Sequence, residues 1–566
     1  MNKKIIFLVL ILAMAAILRF WNLAQPDLLT DDALYSVRAL GWFDYLGGGQ
    51  TTPVQWFGHI PWWANLSFHD APPTVFLIQK IFFVLFGPNS FAARLPFALA
   101  GVLTVYLIYL IISELRSKQT AILGALFISI LSWHIWISHF GFLEDIESTF
   151  IVLTFWLLIK FDKTNENRFL FYSAVAAGLA IMSKLTAVFF LPILAIYFLV
   201  YRIKLLKNKN FWLTVLIFVA VISPYIIYNT FVFTTRGHFD YGLSLMLGMH
   251  PQDYSSISAP SIRPDLFVSL KGILVESSNY ASWPLLFLSM LALVQILYQQ
   301  TADKFKTKTF ELLAALGLIL SLIVLALGGL SAPHRLSIII PWAVIVCILA
   351  GDNFYHLLVS SRFKQAKLLA IVLLAVIFTW ELLYSVNTHL LPHPWTKAPI
   401  LYSKIEPSVQ GGLAYNEMEK FLNKEVFPAQ LEFIRPASID SWTERSTQNF
   451  TNLKFCVLFD EAVNWFAYQW HMSKYQAYYG MPLISVSNLV VAAKDQDPIQ
   501  ILRDIGVETF YLILPVDARA LDPVKANTNL HRITVALAQD LEKQNIKPVE
   551  IKNHFGEVMF KVYKFH

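Results

Sequence analysis

The chain has 566 residues, 56% of them hydrophobic and 15% aromatic but only 14% charged, a balance that excludes a soluble globule of ordinary make-up. Most of it must live in lipid, and the net charge of +6 reads as anchoring at an anionic inner leaflet, with no nucleic acid among the expected partners. Only two cysteines occur, Cys347 inside an apolar run and Cys456 far along the tail, so neither a disulfide framework nor a Cys/His metal site is spelled out.

Taken in chain order, apolar runs able to cross a hydrocarbon core of roughly 30 Å recur many times. They fall near 5–21, 91–112, 120–138, 147–161, 169–183, 185–201, 211–229, 281–299, 310–330, 336–351 and 368–385, which predicts an α-helical polytopic membrane protein of about eleven transmembrane helices. The opening MNKKIIFLVLILAMAAILRF has the basic start and apolar core of a secretory signal. Arg19, Phe20 and Trp21 then stand where small cleavage-site residues are wanted, so it reads as an anchored first helix. With a cytoplasmic N-terminus, the short loops carrying Lys3, Lys4, Arg116, Lys118, Lys204 and Arg362 all fall inside, as the positive-inside rule asks.

Residues 1–386 thus read as a transmembrane domain with two long outer segments, 22–90 and 230–280, and long connections in a bundle tend to be functional. The first holds LLTDDALYSVRAL, with Asp31 and Asp32 adjacent. It also holds WWANLSFHDAPPTVFLIQKIFFVLFG, where His69 and Asp70 precede Pro-Pro and an apolar run too short to span, read as an interfacial helix on the outer leaflet. Glu144, Asp145 and Glu147 follow at the outer turn between the third and fourth spans. Lys184 lies between two tightly linked spans, and His334 and Arg335 open the tenth.

From 387 to 566 the composition changes to that of a soluble α/β domain, expected outside the cytoplasm. KFCVLFD and LISVSNLVVAA look like strands, IQILRDIGVETFYLILP like a helix feeding a strand, and ITVALAQDLEKQ like an amphipathic helix before the strand VMFKVYKF.

Carboxylates from three separated segments, all expected at one membrane depth, can gather around one aqueous pocket, and ionisable groups at such depth are usually functional. Their chemistry suits general-base activation of a hydroxyl or coordination of a hard divalent cation. Lys184, His334 and Arg335 at the same level suit an anionic phosphate. Plainer readings compete. Asp31 and Asp32 could cap a helix starting at Ala33, Asp70 could cap the Pro-Pro helix, the Glu144 turn could be a solvated hairpin, and His69 and His334 could be structural.

The string RFWNLAQPDLLTDDALY, 19 to 35, resembles the first helix end and first outer loop of GT-C fold membrane glycosyltransferases. It is most similar to glycosyltransferase family 39, the protein O-mannosyltransferase and aminoarabinose transferase group. HDAPPTVFLIQKIFFVLFGPNSFAARLPFALAGVLTVYLIYLI, SHFGFLEDIESTFIVLTFWLL, AAGLAIMSKLTAVFFLP and HRLSIIIPWAVIVCILAG resemble later parts of that group in the same order. The resemblance implies an enzyme that moves a sugar from a polyprenyl-phosphate donor lipid to an acceptor hydroxyl, on protein or glycolipid, at the outer face of the cell membrane. It implies Asp31 as general base, with Asp32 standing where the group usually has Glu. Asp70, His69, Glu144, Asp145, Lys184, His334 and Arg335 become substrate-binding candidates, and Asp32 with Asp145 the candidates for a divalent cation. Two rival classes are a transporter, against which the acids sit at helix ends rather than mid-membrane, and an enzyme like the oligosaccharyltransferases or O-antigen ligases. Against the latter, Trp62-Trp63 is followed by Ala64 and not by Asp.

Overall fold

The computed structural model describes residues 3–45, 50–257, 265–302, 309–328, 332–360, 364–391, 395, 400–402, 412–494 and 496–566. The chain divides into two compact units. One comprises Met1–Leu23, Leu66–Ile78 and Arg94–Val409, the other Ala24–Asn65, Gln79–Ala93 and Gln410–His566.

The first unit is helical. Among the described residues six helices are long and apolar enough to cross a membrane: Ser90–Leu115, Lys209–Arg236, Trp283–Thr301, Thr309–Leu327, Pro333–Leu357 and Leu368–His389. A seventh is counted if Lys118–Ile130 and Ser132–His139, bent by 59° at their junction, form one span. The bend has a local cause, because Leu131 takes an extended backbone (φ −69°, ψ 115°) between the two helices. The run 185–201, expected as one uniform helix, is instead a 3-10 turn Leu185–Phe190, an α-helical turn Leu191–Ile196 and a π-helical turn Tyr197–Tyr201 in succession. Helices also cover Lys3–Phe20, Leu143–Thr164 and Asn167–Ser183, each within or overlapping an apolar run of the sequence. Their interfaces share a continuous core that includes Ile108, Ile128, Phe155, Leu318, Trp342 and Ile345.

The second unit is built on a five-stranded mixed sheet of order β2-β1-β3-β5-β4. Its strands are β1 Phe455–Phe459, β2 Leu483–Ser485, β3 Thr509–Pro515, β4 Val549–Lys552 and β5 Val558–Phe565. β1 pairs in parallel with β2 and β3, while β5 runs antiparallel to β3 and β4. All five residues of β1 are buried, as a central parallel strand covered on both faces requires. Alternate residues serve opposite cores: Val457, Phe459, Tyr511 and Ile513 on one face, Cys456, Leu458, Phe510 and Leu512 on the other.

One reading of the tail is corrected. LISVSNLVVAA is a three-residue strand followed by the helix Val486–Ala493, because Ser485 caps that helix by accepting the backbone N–H of Asn488 at 3.2 Å. Apolar runs of this length do not distinguish strand from helix, whereas the Ser cap does. The same unit contains the helix Asp31–Gly41, which packs on the segment 465–479.

Candidate active site

Within the helical unit, two turns bring the first group of site residues together. Glu144 and Asp145 occupy the first turn of the helix Leu143–Thr164, and Lys184 is the extended residue (φ −159°, ψ 141°) between the helix Asn167–Ser183 and the 3-10 turn after it. The Lys184 ammonium forms an ion pair with Glu144 Oε1. Glu144 is 1% exposed and Lys184 18%. The same turn supplies Thr186, whose Oγ1 donates to Glu147 Oε1 at 2.7 Å. His334, at the opening of the tenth predicted span, brings Nε2 to 3.9 Å from Glu144 Oε1 and stacks on Phe142 at 4.9 Å with a 12° tilt.

A second group gathers around Tyr241. His69 is buried, its carbonyl accepts the Tyr241 N–H at 2.7 Å, and its Nδ1 lies 3.9 Å from Asp70 Oδ1. The Tyr241 phenol is raised above its ordinary pKa chiefly by burial, and it feels Arg335 and Asp70 with opposite signs. Arg335 follows His334 directly in the chain. Asp240, just before Tyr241, is buried and pushed up to about 6 by that burial. It accepts the Leu243 N–H at 2.7 Å and the Asn229 side-chain amide at 3.1 Å, which makes it the N-cap of a short helix.

Asp145 has different partners. Its Oδ1 accepts Ser138 Oγ at 3.2 Å, and Ser138 in turn donates to the His134 carbonyl at 2.7 Å. His134 Nδ1 is 2.6 Å from Arg19 Nη2. The structure therefore joins Glu144, Lys184 and His334 directly, ties Tyr241 to the His69 backbone beside Asp70, and ties Asp145 to Ser138.

Asp31 and Asp32 belong to the sheet unit. The helix that carries them is Asp31–Gly41 with Thr30 as its N-cap residue, so it starts two residues earlier than a cap at Asp32 would place it. The two acids differ sharply. Asp32 is fully buried, and its Oδ1 accepts the Thr30 N–H, the Thr30 hydroxyl and the Ala33 N–H, each at 3.0 Å. Its carboxylate thus satisfies the amides of the first turn, where negative charge is favoured. Asp31 is half-buried, and its Oδ2 faces the Tyr35 hydroxyl one turn on, at 3.4 Å. Among the described residues no group of three or more His, Cys, Asp or Glu side chains could hold a metal ion.

Several partners carry no mark in the sequence. Thr186 was within reach, since a hydroxyl two residues after Lys184 shares its turn. Ser138 lies only seven residues before Asp145, at the head of the same acidic turn, whereas Tyr241 meets His69 from a distant segment and has no local signal.

Comparison with known proteins gives the class. Residues 70–228 match the family model described as dolichyl-phosphate-mannose-protein mannosyltransferase. The chain is similar in structure to ArnT from Cupriavidus metallidurans bound to undecaprenyl phosphate, with a TM-score of 0.51 and 12% identity over 98% of this chain and 97% of that one. It is similar also to the oligosaccharyltransferase of Archaeoglobus fulgidus in complex with zinc and sulfate, with a TM-score of 0.50 and 11% identity over 98% of this chain and 72% of that one. The chain has the GT-C glycosyltransferase fold. Within that class it resembles the mannosyltransferase group, as the sequence motifs implied. A putative mannosyltransferase of Bacillus subtilis, YkcB, is 27% identical over 141 residues, 25% of this chain and 20% of its own length. The chain spans 62% or less of the curated relatives it matches.

Proposed function

We propose that this protein transfers a sugar from a polyprenyl-phosphate donor lipid to a hydroxyl of a protein or glycolipid acceptor, at the outer face of the cell membrane. The observation that carries the reading is that the Glu144–Lys184 pair, with Asp70 and His69 close in the chain, lies in or at the edge of the segment 70–228 that matches the mannosyltransferase family model. The undecaprenyl phosphate of the ArnT structure supports a lipid of that kind as donor. In this reading about eleven helices cross the membrane, the N-terminus is cytoplasmic, and residues 387–566 are extracytoplasmic.

Asp31 is the general base. Its carboxylate takes the proton of the acceptor hydroxyl as that oxygen bonds to the anomeric carbon, and the bond from that carbon to the phosphate oxygen breaks. One displacement inverts the anomeric configuration. The products are the glycoside and the polyprenyl phosphate, and Asp31 returns its proton to solvent. Lys184 and Arg335 supply positive charge for the departing phosphate, with Glu144 holding the Lys184 ammonium in place and His334 beside that pair as a substrate contact. Asp32 fixes the first turn of the helix and so the aim of Asp31. Asp32 and Asp145 remain the carboxylates proposed as candidates for a divalent cation, and no step of the mechanism is routed through a metal.

The test is turnover of labelled mannosyl undecaprenyl phosphate by the purified protein in lipid nanodiscs. Release of polyprenyl phosphate with sugar transfer supports the reading. Binding without consumption points to a transporter, and consumption only of pyrophosphate-linked glycans points to the oligosaccharyltransferase class.

A further inference from the structure

The tail of the chain has no role in the mechanism so far, yet it holds the helix that carries Asp31. A set of contacts within the sheet unit makes that connection. Tyr478, 1% exposed at the end of the segment 465–479, donates its hydroxyl to the Val37 carbonyl at 2.8 Å. At Gly41, the last residue of the Asp31 helix, a Cβ would lie 2.1 Å from both Cε1 and Cζ of Tyr478 and 2.4 Å from its hydroxyl. Only glycine lets that ring approach the helix backbone so closely. Just beyond, Trp42 ends the helix in the left-handed region (φ 49°) and donates its indole N–H to the Asn65 carbonyl at 3.0 Å, while Arg435 of the tail donates to Asn65 Oδ1 at 2.6 Å. On another side, Gln79 donates to Ser36 Oγ at 2.9 Å, and the nearby Phe83 stacks on Trp470 at 5.6 Å.

A helix of eleven residues is a rigid rod roughly 16 Å long. Fixing its C-terminal end therefore fixes the place of the carboxylate at its N-terminal end. We propose that Tyr478 is a positioning residue for Asp31, with Gly41 as the socket that admits its ring, so that the tail is a working part of the active site. This rests on the assignment of Asp31 as base. Tyr478 touches no reacting atom; it acts through the helix.

The experiment uses the full-length protein in nanodiscs, with labelled mannosyl undecaprenyl phosphate as probe and undecaprenyl phosphate alone for binding. Gly41→Ala drives a methyl group into the ring and should lower kcat on the order of tenfold to a hundredfold, as small misplacements of a catalytic group do. The KM for donor and the affinity for undecaprenyl phosphate should stay within about twofold, well inside that kcat effect. Tyr478→Leu removes the ring atoms that collide, so Gly41→Ala combined with Tyr478→Leu should be more active than Gly41→Ala alone. In an Asp31→Asn background, Gly41→Ala should cost nothing further, because the group it misplaces is gone.

If Asp31→Asn abolishes turnover while folded Gly41→Ala keeps wild-type kcat, the positioning role is wrong and the base assignment stands. If Asp31→Asn turns over normally, the base assignment fails by itself. If Gly41→Ala does not fold, Tyr478→Phe, which keeps the ring but drops the hydrogen bond to Val37, carries the test. It must lower kcat with donor KM unchanged, and an unchanged kcat overturns the proposal.

Discussion

The two acidic clusters look alike in sequence, TDDALY in one unit and FLEDIES in the other, but the structure treats them differently. In the helical unit Glu144, Asp145 and Glu147 are each at most 2% exposed, and each is tied to a separate partner: Lys184, Ser138 and Thr186. In the sheet unit one carboxylate, Asp32, is consumed by the first turn of its own helix, and its neighbour Asp31 is half-buried, with its Oδ2 3.4 Å from the Tyr35 hydroxyl. A carboxylate enclosed by donors and a counter-charge serves electrostatics, whereas one left accessible to a proton can serve as a base. Adjacent acids in a sequence are therefore not interchangeable, because the helix start divides their work.

The comparison can be broken most forcefully at the ion pair. Lys184→Met leaves the buried Glu144 without its counter-charge and should cost about 3 kcal/mol or more of stability, read as a lowered melting temperature in detergent. Adding Glu144→Gln should restore much of that loss without restoring turnover.

A comparable effect is expected in the sheet unit, where Glu419 accepts His471 Nδ1 at 2.6 Å, Lys474 Nζ at 2.6 Å and the Tyr475 hydroxyl at 2.7 Å. Burial opposes its ionisation, but Lys474 and His471 prevail and hold the carboxyl down at about 2 from an ordinary 4.5. A depressed carboxyl contributes stability above its unfolded value and loses it as pH falls, so this contribution, on the order of 3 kcal/mol, should disappear between roughly pH 4.5 and 2. Glu419→Gln should flatten that acid limb. Asp27 has the opposite sign. Burial pushes it up to about 6 despite His471 and the N–H groups of Leu413 and Asn416. Its contribution is present below about pH 4 and lost as pH rises through about 6, so Asp27→Asn should flatten that window instead.

Smaller effects separate the two aspartates. Asp32→Ala removes the acceptor of three hydrogen bonds and should cost about 1–3 kcal/mol of stability, whereas Asp32→Asn keeps an acceptor oxygen and should retain most of the turnover. Tyr35→Phe removes one long hydrogen bond from Asp31 and should change kcat by roughly twofold to fivefold, with the donor KM unchanged.

Local features of the fold were legible where composition alone decides them. The apolar run after Pro-Pro is the 13-residue helix Thr74–Phe86, and the strands at KFCVLFD, FYLILP and VMFKVYKF stand where their β-branched and aromatic content put them. Asp31 and Asp32 do begin a helix. What local pattern could not show is membership: residues 24–65 follow an apolar helix, yet they fold with the sheet. That choice is made by contacts such as Tyr478 to Val37, between residues far apart in the chain. β4, Val549–Lys552, was missed because VEIK is short, mostly exposed and half charged. In the site, the lysine turn and the acidic turn were visible one by one, but the pairing of Glu144 rather than Asp145 with Lys184 depends on which side of the helix start each carboxylate leaves.

The central claim is that Asp31 is the base, and the most direct measurement is turnover of labelled mannosyl undecaprenyl phosphate by Asp31→Asn beside Asp32→Asn, with undecaprenyl phosphate binding measured on both. Asp31→Asn should lose turnover by a factor on the order of a hundred to ten thousand, the usual worth of a general base, while still binding the lipid, and Asp32→Asn should stay near wild type. Near-normal turnover by Asp31→Asn would contradict the account.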